Sequence, residues 1–184
     1  MKLLSTLLLC LCITVGSNAQ TLYASKNVAI SFISNAPLED IEASSKMGVG
    51  VLNFEKGEFV FEVAVRTFRF DISLMQEHFN ENYLDSDRFP KASFRGKFKD
   101  SIDLTKDGVY PIVVEGKLSV RGIEKPRVIP GTLVVKNGMV SLNADFTIDC
   151  EDHNIKIPKI VEEKIADTVK VRVNGDFSLY FAKN

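Results

Sequence analysis

The sequence predicts an all-β chain of about eight antiparallel strands closed into a barrel, with one or two short helices at the mouth. Three observations predict it. Apolar and polar residues alternate over long runs, the period of a strand with one face on a core and the other in water. Two-residue turns ending in glycine separate those runs, so consecutive strands are antiparallel neighbours. One amphipathic segment, Phe68 to Phe98, interrupts the alternation with a helix and reads as a cap.

The first strands, Val28 to Ile33 and Ile41 to Phe54, are the least regular. After Lys56-Gly57 the period is clean, with Phe59, Phe61, Val63 and Val65 on one face. Ser73 and Gln76 have the spacing of a capping box, and Leu74, Met75, His78, Phe79 and Tyr83 then recur on one helical face. Glu77, Asn80 and Glu81 fall on the other face. The stretch Asp85 to Pro90 stops the helix, because a residue before proline is pushed out of the α region. Ala92, Phe94, Gly96 and Phe98 make a short strand, and Tyr110, Ile112, Val114, Gly116, Leu118 and Val120 a longer one after Asp107-Gly108. Arg121-Gly122 turns into Val128 to Val135, where Pro130 predicts an edge or a bulge. Asn137-Gly138, the strongest hairpin signal, leads to Val140, Leu142, Ala144, Phe146 and Ile148. A second short helix fits Ile160 to Ala166 after Pro158. The last strand, Thr168 to Phe181, turns Val169, Val171, Val173, Gly175, Phe177, Leu179 and Phe181 one way and its polar residues the other.

Residues 1–19 combine Lys2, an apolar run from Leu3 to Val15, and small residues at Ser17 and Ala19, which predicts a secretory signal cut before Gln20 and a periplasmic or secreted protein. The run is short for a membrane span, so none is expected once the signal is removed. Cys10 and Cys12 each follow leucine where a lipidation site wants a small residue. Both leave with the signal, so Cys150 remains alone and burial, not a disulfide, holds the single domain 20–184 together. The formal charge of −1, with Lys and Arg spread along strands, leaves no footprint for nucleic acid.

At about 3.3 Å per residue the last run would reach some 45 Å, tall enough for a long ligand. Gly96, Gly116, Ala144 and Gly175 put almost no volume on faces that otherwise carry Phe, Leu and Val. They leave space along the axis, or they mark bends where a barrel coils, and the two readings are compatible.

No cluster of residues is tuned toward one reaction, so the chain is not read as an enzyme. Cys150 and His153 lie three apart, but no third group orients the imidazole. Asp145, Asp149, Glu151 and Asp152 gather oxygens without the Asp-x-Asp-x-Asp-Gly order of a calcium loop, so a solvated acidic loop is the simpler reading. His78 and His153 are too few for zinc. His78 either contacts a ligand head group or caps a backbone carbonyl, with capping the simpler. Arg66 and Arg95 fall on outward registers.

Four segments carry a resemblance: Met75 to Gly96 (MQEHFNENYLDSDRFPKASFRG), Val114 to Pro126 (VEGKLSVRGIEKP), Asp145 to Pro158 (DFTIDCEDHNIKIP) and Lys164 to Val173 (KIADTVKVRV). Together they resemble the YceI-like family, in order and over nearly all of residues 20–184. The resemblance implies an extended, lipocalin-like eight-stranded antiparallel barrel, exported from bacteria, that holds a polyisoprenoid or isoprenoid-quinone chain in a hydrophobic channel. The chain has no Trp, so the Gly-x-Trp signature of true lipocalins is missing. Gly122-Ile123-Glu124-Lys125 stands where the family commonly reads Gly-Val-Thr-Lys, a change in a turn more than in a pocket.

The expected function is to bind one long apolar lipid with no required cofactor. Its wall would be Phe61, Val63, Phe94, Phe98, Ile112, Val114, Leu142, Phe146, Val171, Val173, Phe177 and Leu179, and its entrance Leu74, Met75, His78 and Phe79. The alternative is a barrel filled by its own side chains, acting through its surface as an envelope stress or scaffold protein. Pairing with a second copy is left open.

Overall fold

Alternation becomes eight strands in the computed structural model, which describes residues 21–99 and 102–180. The expected signal at 1–19 with its cleavage point, Cys10, Cys12 and Phe181 lie outside the described residues. The strands are β1 (Leu22–Asn35), β2 (Asp40–Asn53), β3 (Glu58–Ala64), β4 (Lys91–Phe98), β5 (Gly108–Val120), β6 (Ile123–Lys136), β7 (Met139–Asp149) and β8 (Thr168–Tyr180). Each pairs antiparallel with the next, and β8 pairs with β1 to close the barrel. Closure leaves no free sheet edge along most of the wall. No helix among the described residues is long and apolar enough to cross a membrane.

The irregular start has a physical cause. The β1–β2 register shifts on both sides of Val28, so extra residues stand out of the ladder and break the two-residue period. Val28 itself is fully buried. Two of the four expected glycine turns are tight: Arg121 and Gly122 (φ 49° and 73°), and Asn137 and Gly138 (φ 51° and 75°), take consecutive left-handed conformations, whereas at Lys56-Gly57 only the glycine is left-handed (φ 66°) and Asp107-Gly108 ends the longer loop after Phe98, with Gly108 opening β5. Pro130 marks a local edge. β6 meets β7 only from Gly131 to Lys136, and from Pro130 back toward Ile123 that side of β6 has no strand partner. The segment after β7 covers it, with Arg127 and Lys125 paired to Asp152.

Two helical expectations change. Helix α1 (Ser73–His78) has Ile72 at its N-cap and no side-chain cap, because the chain enters the helix one residue before a capping box would allow. It widens into a π-helical turn, Phe79–Tyr83, closed by the Leu84 N–H on the Phe79 carbonyl at 2.9 Å. The second helix is only a 3₁₀ turn, Lys159–Val161. Backbone groups that would continue it are engaged by the β1–β2 hairpin: the Ala166 N–H donates to Ser34 Oγ at 2.8 Å, and the Glu163 carbonyl accepts from Leu38 N–H at 2.8 Å.

Candidate functional site: a cavity open at one end

The two ends of the barrel are packed differently. At the end where β1 begins and β8 finishes, Leu52, Leu133, Val135, Val140 and Phe177 are fully or almost fully buried and fill the axis. The Phe177 ring lies edge-on to Phe61 at 5.8 Å, and bare glycines make room for it. A Cβ on Gly50 would sit 2.8 Å from the ring, and one on Gly175 3.0 Å. Phe177 is therefore a floor.

Above that floor the barrel is hollow. The cavity measures about 550 Å³ and its exposed lining is overwhelmingly apolar. It lies within the range of ligand pockets. Phe61, Val63, Phe94, Phe98, Ile112, Val114, Leu142, Phe146, Val171 and Val173 all line it, and Leu74, Met75, His78 and Phe79 line it from the helix. Phe79 fixes that helix to the wall, stacking on Phe32 at 5.4 Å and tilting on Phe70 at 5.0 Å. His78 is exposed at the mouth, and its ring caps no carbonyl within the described residues because that helix face turns to solvent.

Two expected wall residues lie elsewhere. Phe177 is buried below the cavity, and Leu179 is 45% exposed. Leu179 keeps the inward register opposite Tyr23, but the β7–β8 ladder stops at Val140 and Phe177, so on that side no paired strand among the described residues covers it. The small residues divide too. Ala144 lines the cavity, whereas Gly96 and Gly116 face each other across β4 and β5 outside it. A Cβ on Gly116 would lie 2.9 Å from Gly96 Cα, so these glycines serve strand coiling and not axial space.

Sequence reasoning missed Ile30, Phe32 and Ile41, whose period the β1–β2 bulges disguise, and Phe68 and Phe70 from the connector. It also missed the lip formed by Ile155, Ile157, Val161 and Ile165. Their spacing of two and then four residues was the available signal. Polar groups reach the cavity mainly near its mouth, through Glu39, His78, Tyr83 and Lys164. Burial pushes the Tyr83 hydroxyl up from its ordinary range, which keeps it neutral.

Cys150 and His153 are buried but engage different partners. The thiol points at the Ala166 carbonyl, 3.9 Å away, and burial, with Asp167 and Asp149 adding to it, pushes it up to about 11. A thiol so held is not a nucleophile at neutral pH. His153 Nδ1 lies 3.1 Å from the Ile123 carbonyl oxygen. A carbonyl only accepts, so Nδ1 carries the proton and Nε2, buried without a partner, is left as an acceptor. Three of the four acidic residues of this region have separate partners, Asp145 with Arg172, Asp149 with Thr168, and Asp152 with Arg127 and Lys125, while Glu151 is exposed. No group of three metal-ligating side chains occurs among the described residues.

Burial lowers the His153 pKa from its ordinary 6.5, and Arg127 pushes the same way. Above that value both folded and unfolded chains hold a neutral ring and stability is flat. Below it the unfolded chain takes up a proton that the folded one refuses, so stability falls with pH, at no more than about 1.4 kcal/mol per pH unit for this group. The melting temperature is expected to drop between pH 7 and pH 5, and to drop less in His153→Gln. Parallel pH profiles for the two proteins would show that His153 carries no such linkage.

The comparisons with known proteins agree with the closed eight-stranded barrel. The family model of the YceI-like domain matches residues 23–177. No curated protein matches the sequence significantly. Among solved structures, Burkholderia cenocepacia BcnA is similar at a TM-score of 0.70 and 15% identity, over 81% of this chain and 95% of that one. A polyisoprenoid binding domain from Saccharophagus degradans, implicated in plant cell wall breakdown, gives 0.73 and 10%, over 88% and 99%. The Campylobacter jejuni YCEI protein gives 0.61 and 12%, over 83% and 91%. At such identities the likeness is one of fold.

Proposed function

The chain belongs to the YceI-like family, and from that premise we propose that it binds one long apolar lipid, of the polyisoprenoid or isoprenoid-quinone class, in a cavity open at one end. The observation that carries the reading is the 550 Å³ apolar cavity above the Phe177 floor. Burial is the driving force. At about 0.8 kcal/mol per CH₂ removed from water, a ten-carbon stretch gains several kcal/mol after the cost of immobilising it. The Saccharophagus degradans domain that shares the fold is described as polyisoprenoid binding, which supports the ligand class. The polar groups Glu39, His78 and Lys164 stand where the head of a tail-first lipid would rest. The reading calls for no bond to be made or broken, and the buried thiol of Cys150, pushed up to about 11, offers no nucleophile at neutral pH. The leader at residues 1–19 supports export to the periplasm or beyond. A barrel filled throughout by its own side chains would need the upper axis occupied, and there the side chains of Ala144 and Ala92 leave it open.

The test is extraction and mass spectrometry of lipid from protein purified from its own host, compared with Ala144→Phe. Ala144 stands between Gly131 and Val173 in the ladder and faces the void, so the larger ring enters empty space. Bound lipid is expected to fall about tenfold, with a melting temperature unchanged or raised. Repeated absence of lipid from the wild-type protein, or full lipid content in the variant, overturns the reading.

A further inference from the structure

The large apolar side chains left in water near the mouth come from three separate segments. Leu38, in the β1–β2 connection, is 66% exposed, Ile72 and Leu74 at the start of α1 are 51% and 56% exposed, and Ile160 on the 3₁₀ turn is 92% exposed. All four flank the opening. Ile72 and Leu74 line the cavity while facing solvent, and Leu38 and Ile160 adjoin the lining residues Glu39 and Val161. The hydrogen bond from Leu38 N–H to the Glu163 carbonyl holds the hairpin against the turn that carries Ile160. Exposed apolar side chains gathered in this way mark an interaction surface.

We propose that this rim is a docking surface for a zwitterionic phospholipid leaflet, which it enters with Leu38, Ile72, Leu74 and Ile160. Two features select that partner over a protein or an anionic surface. Ile72 and Leu74 belong both to the exposed tips and to the cavity lining, so a hydrocarbon chain leaving a leaflet at α1 passes onto the apolar wall of the barrel; here the proposal rests on the lipid-holding reading. The charges around the rim fit choline or ethanolamine heads. Acidic Glu39, Asp71, Glu77, Glu162 and Glu163 nearly balance Lys156, Lys159, Lys164 and Arg69, so carboxylates are present to meet the outermost cations of zwitterionic lipid and no excess of positive charge draws the rim to an anionic surface. Docking is then driven by apolar insertion and changes little with salt.

The test is flotation of the protein with phosphatidylcholine vesicles, and with vesicles containing phosphatidylglycerol, at low and high salt. The protein is expected to float with phosphatidylcholine at both salts, and the double substitution Leu38→Asp with Ile160→Asp to lower the bound fraction at least about tenfold. Met139→Asp, an exposed site beside the Asn137-Gly138 turn at the opposite end, is expected to float as the wild type does. Failure to float with phosphatidylcholine, equal loss in Met139→Asp, or binding that needs phosphatidylglycerol and vanishes in salt each overturns the proposal. Lipid extracted from the same samples separates this claim from the one it rests on. Protein that carries lipid but does not float refutes docking alone, and protein that floats but never carries lipid refutes lipid holding alone.

Discussion

Gly116→Phe is expected to yield no folded barrel. Gly116 lies directly opposite Gly96 where β4 and β5 cross closely, and a Cβ there would press on the Arg95 carbonyl group, 2.9 Å from its carbon and from Gly96 Cα. The obstructing atoms are backbone, so no rotamer change relieves them. The two strands must separate, which breaks their ladder on both sides. Ordinary overpacking costs about 1–3 kcal/mol against a total stability of about 5–15 kcal/mol. A clash with main chain exceeds that, and even Gly116→Ala is expected to lower the urea midpoint markedly. Soluble yield and far-UV circular dichroism are the measurements. A native spectrum with an unchanged midpoint would show that β4 and β5 do not approach so closely.

Phe177→Ala carries the second largest effect. The ring is fully buried, touches Phe61 and fills the space that Gly50 and Gly175 leave bare. Truncating a buried Phe to Ala costs about 3–5 kcal/mol, through lost burial and the void left behind. The substitution is expected to remove that much stability in urea denaturation with a native-like spectrum at zero urea. A loss below about 1 kcal/mol would mean that the lower barrel is loosely packed and Phe177 no floor.

The sequence makes legible whatever depends on period two and on turn chemistry. β5, β7 and β8 alternate without interruption, and Asn137-Gly138 adopts the left-handed pair its residues favour. What it hides is non-local. The shifts around Val28 mask β1, since a bulge changes register without any composition signal. Ser73 has the type and spacing of a cap, but the backbone enters the helix at Ile72. Alternation reports the face of a residue and not its height, so Phe177 in the floor and Leu179 below it read like the cavity-lining Val171 and Val173. The same limit applies to Gly96 and Gly116, where absence of a side chain reads alike whether it spares a neighbouring strand or an axis.

A barrel stoppered by Phe177 is a vial and not a pipe. A guest held as proposed would exit by the door through which it came, in reverse order, so the first atoms to leave would belong to the end that entered last. Length is then poorly discriminated, because surplus chain trails outside instead of colliding with a far wall. The outermost group of such a guest would stay within reach of a third molecule while its tail was still sheltered, so hand-over would require no opening of the barrel.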